Sequence, residues 1–299
     1  MTNVIGQDSI VLNQSNLVSG TTNQFNYLFP GGKSFKNDKV AIKAISLYYS
    51  WFNIRASYGN NVFQIIWPIT ASSSTVTTTT TYTITIPDGN YSIAQLNTFI
   101  QQYMILHSLY LISATGNVYY ISCQTNSNYY SVEFDFFPIP DTALQTSSSL
   151  TQPAGWPTTN TYASAFTPQL IVPASLTTNS FSTLIGYLPG TYPATYLSTT
   201  NVGVQSTFAP QVSPVKSIIV GCSIVSNSFG QNNSVLGTFA YTNTGFGSII
   251  NYTPSFAWYG NVLDGSYNNL IITFWDQSFN ALPIYDTNVT IELSLVRTT

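Results

Sequence analysis

The feature that most constrains the fold is a strand-like alternation of side chains, which recurs from residue 24 almost to the end of the chain. In the closing run, residues 288–296, the aliphatic residues at 289, 291, 293 and 295 alternate with Thr290, Glu292 and Ser294. A period of two residues is that of a β-strand with one buried and one exposed face. Further runs of this kind cover residues 24–29, 39–54, 62–67, 79–86, 129–137, 215–226 and 269–275. The pattern predicts an all-β protein.

Charged residues make up only 6% of the 299 residues, whereas aromatic residues make up 15%. Typical soluble domains carry about 25% charged residues. Disorder does not explain the difference, because disordered chains lack aromatic and β-branched residues. The formal net charge of -3 also disfavours a protein that holds nucleic acid through bulk positive charge. Sheets whose polar faces are uncharged predict contact with other protein surfaces.

One segment predicts a helix. Ser92 with Gln95 three residues later forms a capping box, which satisfies two backbone donors at a helix start. The apolar side chains that follow have helical spacing and would face a sheet; they are Ile93, Leu96, Phe99, Ile100 and Tyr103. Turn signals predict further boundaries: a turn at Pro30-Gly31-Gly32, the end of a strand at Pro68, and a hairpin of residues 109–113 and 118–123 around the turn at 114–117.

The domain organisation follows from composition. The polar first twenty residues predict an N-terminal arm, residues 1–20, or a first edge strand, followed by one domain over residues 21–299. Residues 142–215 contain no charged side chain, eight of the 15 prolines and eight aromatic residues. That mixture predicts that residues 141–215 form a Pro-rich insertion of ordered loops packed on the domain.

The residues needed for common chemistries are scarce. His107, the single histidine, lies at the end of the predicted helix and is not accompanied by a G-x-S-x-G nucleophile motif. One histidine and two distant cysteines cannot build a zinc site, and Cys123 and Cys222 are predicted to be buried, reduced thiols. Glu133 and Asp135 would share a strand face, where the alternatives are a solvated face, a calcium site or a glycosidic pair. We therefore predict no enzyme, cofactor or metal.

Neither a signal peptide nor a membrane span is predicted, because the start has no basic and apolar regions and no run of 18 apolar residues occurs. The remaining charge feature is a cluster of four lysines within eleven positions, namely Lys33, Lys36, Lys39 and Lys43. This cluster is the candidate interaction patch. It could contact packaged nucleic acid or an acidic partner, or it could protect a sheet edge from unwanted strand pairing.

Three segments resemble a known family when they are taken together. Residues 83–97 read TITIPDGNYSIAQLN, residues 182–193 read STLIGYLPGTYP, and residues 269–282 read NLIITFWDQSFNAL with DTNVTI following at 286–291. Their order and spacing resemble those of capsid proteins of virophages and polinton-like viruses. With 299 residues, the chain is most similar to the penton proteins of Mavirus-like virophages rather than to the major capsid proteins, which are usually about twice as long.

The resemblance implies a single jelly roll, an antiparallel β-sandwich of two Greek keys, here with one short helix and long loop insertions. It also implies homopentamers at the fivefold vertices of an icosahedral virion, next to double jelly-roll major capsid proteins. Assembly would take place in the cytoplasm of the infected host cell, and no catalytic residues are carried over. Two alternatives are a lectin-like carbohydrate-binding module and a glycan-acting tail or fibre protein. The second would use Glu133 and Asp135.

Overall fold

The computed structural model describes residues 4–71, 75–157, 165–174, 180–197, 200–227, 232, 234–242 and 244–298. The chain forms two compact units. Unit 1 consists of Met1–Trp51 and Val215–Thr299, and unit 2 is the continuous segment Phe52–Pro214. All strand pairs between named strands are antiparallel, which confirms the predicted all-β class.

The elements have the following bounds. The strands are β1 Val4–Leu12, β2 Gln24–Phe35, β3 Lys39–Tyr48, β4 Val62–Ala71, β5 Val76–Thr85, β6 Leu111–Ser113, β7 Gly116–Val118, β8 Ile121–Asn126, β9 Ser131–Phe136, β10 Gln169–Val172, β11 Gly190–Tyr192, β12 Val202–Gln205, β13 Ser217–Cys222, β14 Val225–Ser226, β15 Val235–Ala240, β16 Ile249–Tyr252, β17 Gly260–Val262, β18 Gly265–Asp276 and β19 Thr290–Thr298. The helices are α1 Ile93–Leu106, α2 Thr142–Ser147 and α3 Phe181–Ile185, with single 3-10 turns at Gln14–Asn16 and Ala56–Tyr58.

Unit 1 is a jelly roll. One of its sheets has the strand order β1-β19-β3-β17-β14, with β16 also paired to β3, and the other has the order β15-β13-β18-β2. If the two-residue strand β14 is set aside and the other strands are lettered B to I in chain order, with β16 and β17 together as strand G, these sheets read B-I-D-G and C-H-E-F. That interleaving of eight strands in two sheets is the jelly-roll arrangement, as the sequence predicts. Unit 2 is inserted between strands D and E.

The core of unit 1 lies between its two sheets and depends on the closing strand. Val289, Ile291, Leu293 and Leu295 are at most 2% exposed, which confirms the predicted buried face of residues 288–296. Residues 4–12, for which the sequence leaves an arm or a first edge strand open, form β1 at the edge of its sheet and pair with β19 along almost its whole length. Ile10 and Leu12 are buried and Val11 between them is exposed, so that one face of β1 adds to the same core.

Unit 2 has its own core, built around α1 and two sheets. The sheets have the orders β11-β10-β4-β5 and β12-β9-β8. The capping box of Ser92 and Gln95 is present at the start of α1, as predicted. The helix buries the apolar side chains of Ile93, Leu96, Ile100 and Met104, and Phe99 and Tyr103 pack on the same core half-buried.

Unit 2 begins much earlier than the predicted insertion at residues 141–215. Composition changes at Asp141, but the compact unit starts at Phe52, because β4, β5, α1, β8 and β9 share one core with the later elements. The predicted loops also contain two short helices in addition to the single predicted helix. Asp141 and Ser180 cap α2 and α3, each accepting a hydrogen bond from a backbone N–H of the first turn.

Three of the predicted boundaries are wrong. Pro30-Gly31-Gly32 lies inside β2, where the register with β18 shifts and both glycines have positive φ angles of 73° and 77°. Pro68 lies inside β4 next to another register shift, which is where a strand tolerates proline. The predicted hairpin is shorter, because β6 pairs with β7 whereas β8 pairs with β9. Proline and glycine occur both in turns and in β-bulges, so pairing with the neighbouring strand determines which of the two forms.

Candidate functional site

The four lysines of the predicted interaction patch all lie in unit 1. Lys33 is in β2 opposite Tyr267, Lys36 lies between β2 and β3, and Lys39 and Lys43 are in β3. β2 is the last strand of its sheet, whereas β3 has partners on both sides. Protection of a sheet edge therefore fits the position of Lys33 only.

Acidic residues accompany these lysines in unit 1. Lys43 Nζ lies 2.5 Å from Glu292 Oε1, and the hydroxyl of Ser9 donates a second hydrogen bond of 3.0 Å to the same oxygen. The hydrogen bond from Lys43 lowers the pKa of Glu292 below its ordinary value. Arg297 Nη2 lies 2.6 Å from Asp8 Oδ2 and lowers the pKa of Asp8 in the same way. The basic charge is thus partly balanced within the unit, and such exposed pairs contribute little to stability.

Glu133 and Asp135 project from β9 of unit 2 over Gly203 of β12. A Cβ added to Gly203 would lie 2.2 Å from Glu133 Oε1 and 3.1 Å from Asp135 Oδ1, so both carboxylates occupy the space that a side chain would need. Asn126 Nδ2 donates to Glu133 at 2.9 Å and Gln124 Nε2 donates to Asp135 at 3.0 Å. Burial raises the pKa of Asp135, and the negative charge of Glu133 raises it further.

This pair is a hydrogen-bonded polar face of a sheet. Each carboxylate accepts a hydrogen bond from a neutral side-chain amide of β8, which satisfies an acceptor without a metal ion. Within the part of the chain that the structure describes, no group of three or more His, Cys, Asp and Glu side chains is placed to hold a metal ion. The geometry matches the solvated strand face among the alternatives considered from the sequence.

The other reactive side chains have structural surroundings. His107 caps the C-terminus of α1, and its ring centroid lies 4.2 Å from that of Tyr103 and 5.6 Å from that of Tyr82. Cys123 and Cys222 are buried thiols without a disulfide, as predicted. Burial raises the pKa of Cys123 to about 12 and that of Cys222 to about 11, so both are protonated at neutral pH. A buried neutral thiol is a poor nucleophile.

Sequence analysis missed an exposed aromatic loop in unit 1, residues 253–259. Phe256 and Trp258 in this loop are each 76% exposed, although large aromatic side chains are normally covered. Trp51, Trp67 and Trp156 are at most 2% exposed. The sequence of the loop itself indicates this exposure: residues 253–259 read TPSFAWY, in which three aromatic residues follow Pro and Ser without the alternation of a strand.

The aromatic loop exists because strand G of the jelly roll is interrupted. β16 pairs with residues 45–48 of β3 and β17 pairs with residues 39–40, so the chain between them leaves the sheet. Beside the loop lies a groove of about 300 Å³, which is lined by Trp258 and Tyr252 together with Ile42 of β3 and Leu236 of β15. The interruption thus leaves exposed aromatic side chains beside a groove whose lining is both polar and apolar.

The described helices do not include one that is both long enough and apolar enough to cross a membrane. No family model matches the chain, and no curated protein matches it. Among solved structures, the chain is similar to the crystal structure of the selenomethionine-labelled mavirus penton protein, with 11% identity, a TM-score of 0.46 and 99% of each chain covered. A likeness at this level carries no conclusion about function.

Proposed function

We propose that this chain is a structural capsid protein, a penton that forms homopentamers at the fivefold vertices of an icosahedral virion. The observation that carries the proposal is an exposed, uncharged aromatic surface on a jelly-roll unit. The jelly roll is a common architecture of viral capsid proteins, and an aromatic surface rimmed by polar residues is typical of a protein–protein contact.

The segments that resemble virophage capsid proteins support the proposal through their structural roles. Residues 83–97 end β5 and cap α1, and residues 269–291 contain most of β18 and the start of β19. Residues 182–193 contain Gly186, which has a φ of 80° at the end of α3. A Cβ on Gly186 would lie 2.2 Å from the carbonyl oxygen of Phe208, so this turn requires glycine. The residues that resemble the family therefore have structural roles in the fold. Such roles are expected in a protein whose function is assembly.

The low charge also favours assembly. Burying uncharged Ser, Thr, Asn and Tyr side chains avoids the desolvation cost of ionised groups. We propose that the neighbours in the shell are further copies of this chain and double jelly-roll major capsid proteins, and that the shell assembles in the cytoplasm of the infected cell. The Lys33 to Lys43 cluster would make at most a weak contact with the genome, because an ion pair with Glu292 already engages Lys43.

The proposed role is not enzymatic. His107 caps a helix and contacts two tyrosine rings, while Glu133 and Asp135 are hydrogen-bonded to amides. These are structural arrangements, and catalysis would require a nucleophile, a base and an orienting group within reach of one another.

Purified protein and assembled particles together test the proposal. We expect native mass spectrometry to detect pentamers, and imaging of particles co-expressed with a major capsid protein to place the chain at the fivefold vertices. Threefold or sixfold rings in both experiments would contradict a penton. Binding to a glycan array by a monomer that does not enter shells would instead favour the carbohydrate-binding alternative.

A further inference from the structure

One sheet of unit 2 has an open edge. β5 is the last strand in the order β11-β10-β4-β5 and pairs with β4 on one side only. Next to this pair, Ile86 N–H donates to the carbonyl oxygen of Asn61 at 2.7 Å, so these two residues form a bonded pair. Bonded and non-bonded pairs alternate in an antiparallel ladder, and the register of β5 with β4 has no shift over residues 79–85. The backbone N–H and C=O groups that point away from β4 therefore include those of Thr79, Thr81 and Thr83.

Two neighbouring side chains agree with this direction. Pro68 of β4 lies opposite Thr79, and proline, which has no N–H, fits a position of β4 that is not bonded to β5. Tyr103 of α1 donates its hydroxyl proton to the carbonyl oxygen of Thr83 at 3.0 Å, which points to the open side. The helix therefore covers the edge at Thr83. Within the described part of the chain, no further strand pairs with the edge at Thr79 and Thr81.

The open part of this edge is exposed and carries no protecting charge. Residues 77–81, which read TTTTT, are all exposed. β1 and β2 are the other long edge strands, and they carry Asp8 and Lys33 respectively. Charged side chains on an edge strand prevent unwanted strand pairing. The strands β4, β5, β10 and β11 and the helix α1 contain no charged residue, so a strand that pairs with β5 meets no charge in this sheet.

The chemistry of the edge indicates its partner. Backbone N–H and C=O groups at a spacing of two residues are satisfied together by another β-strand. The run at 77–81 reads the same in both directions, so a second β5 in antiparallel orientation places Thr opposite Thr, which is a favourable cross-strand pair. A contact in which one surface meets its own copy about a twofold axis is the commonest arrangement in homo-oligomers. A second copy of this chain therefore supplies the matching strand.

We propose that β5 pairs in antiparallel orientation with β5 of a second copy of this chain, about a twofold axis at Thr80. In this register Thr79 of each copy faces Thr81 of the other, and each such pair exchanges both N–H···O bonds, while Thr80 faces Thr80 as a non-bonded pair. Thr83, which α1 covers, stays outside the bonded pairs. The inference goes beyond the proposed function, because a twofold contact joins chains that are not neighbours around one fivefold ring.

Cross-linking of the full chain tests the register. Thr80→Cys places two thiols in a non-bonded pair, whose Cα atoms lie about 4.5 Å apart, within the range of about 4.4–6.8 Å that a disulfide spans. With oxidised glutathione as the oxidant, this variant should form a covalent dimer on a non-reducing gel. Cys123 and Cys222 are buried and do not compete. Ala114→Cys, exposed in the turn between β6 and β7 of the same unit, is the matched control and should stay monomeric.

Charge variants test whether the strand meets its own copy. Thr80→Lys and Thr80→Glu each place like charges opposite one another, so each should raise the dimer Kd in sedimentation by about 5-fold or more. An equimolar mixture of the two variants should restore association, because Lys then faces Glu. Ala114→Lys adds the same charge elsewhere in unit 2 and should associate like the wild type. All four chains should have the melting temperature of the wild type, because both positions are exposed.

Three results would overturn the inference. They are a Thr80→Cys chain that cross-links no more than Ala114→Cys, single charge variants that associate as well as the wild type, and a mixture that associates no better than its components. Incorporation into shells is a separate measurement for the penton proposal. Thr80→Lys should still enter the vertices, because the contact around a ring does not use β5. A wild type that pairs through β5 but never enters shells would contradict the penton proposal alone.

Discussion

The two units of the chain differ in how they are held together. Unit 1 depends on pairing between distant parts of the sequence, such as β1 with β19 and β2 with β18. Unit 2 is continuous, and its largest strand pairs join near neighbours, β4 with β5 and β8 with β9. Unit 1 contains six basic and six acidic residues, whereas unit 2 contains one basic and four acidic residues.

This difference indicates that the jelly roll is a framework which closes only when the C-terminal strand β19 is in place, while unit 2 can form from local contacts. Local contacts cost less loop-closure entropy and generally form faster than distant ones. Perturbations at the chain ends should therefore affect unit 1 selectively, and perturbations of buried polar groups should affect unit 2 more strongly.

The largest effect is expected from truncation after Pro283. This change removes residues 284–299, which include β19, and with them five aliphatic side chains that are at most 2% exposed, each worth about 1.5 to 3 kcal/mol when buried. Unit 1 should lose its cooperative unfolding transition, whereas the helical circular-dichroism signal of α1 should persist. Deletion of residues 1–8 is the control and should leave unit 1 folded, because Ile10 and Leu12 remain. A cooperative melt of unit 1 in the truncated chain would contradict the framework interpretation.

The next largest effect is expected at alkaline pH, which should destabilise unit 2 more than unit 1. Burial raises the pKa of Cys123 from 9.0 to about 12 and raises the pKa values of Tyr120 and Tyr187 above their ordinary range. The unfolded chain then releases protons at lower pH than the folded chain, so stability is complete below about pH 9 and falls as the pH rises. Unit 1 carries two such groups, Cys222 and Tyr241.

We therefore expect unit 2 to unfold first when thermal melts are recorded at increasing pH above 9. Cys123→Ala should make the stability of unit 2 less dependent on pH. Cys222→Ala should do the same for unit 1 only. Equal slopes for both units would show that the buried thiol and phenol groups do not distinguish them.

A smaller effect is expected from one buried hydroxyl in unit 2. The hydroxyl of Tyr187 accepts a hydrogen bond from Phe134 N–H, and its single proton can be donated to the carbonyl oxygen of either Val132 or Val204, both of which lie within hydrogen-bond distance. Tyr187→Phe leaves these backbone groups without that partner and should reduce the free energy of unfolding by about 1 to 3 kcal/mol. Tyr241→Phe, which removes one hydrogen bond to Val215 in unit 1, should cost less in chemical denaturation. The reverse order would contradict the comparison.

The smallest effect is expected from the exposed ion pairs of unit 1. Lys43→Ala removes the partner of Glu292, and Arg297→Ala removes the partner of Asp8. Because both carboxyl pKa values are lowered in the fold, the contribution is present above the ordinary carboxyl pKa and is lost as the pH falls. Either variant should melt close to the wild type, and the small difference should vanish at high salt. A difference that persists in high salt would indicate a role beyond ion pairing.

The sequence was sufficient for elements whose signals are local. The capping box of Ser92 and Gln95 and the apolar stripe behind it predicted α1, and alternation predicted the buried face of β19. Both depend on residues within a few positions of one another, where side-chain direction follows directly from backbone period. The burial of Cys123 and Cys222 followed from the same strand patterns.

Tertiary structure decided which strands are partners and which apolar side chains stay exposed. The polar start of the chain became a core strand because β19 lies beside it, and Pro30-Gly31-Gly32 became a bulge because β18 continues past it. The boundary at Phe52 and the exposure of Trp258 likewise depend on contacts between distant residues. A period of two specifies that a segment is a strand and which side chains share a face, but the choice of neighbouring strand is made by packing across the whole sandwich.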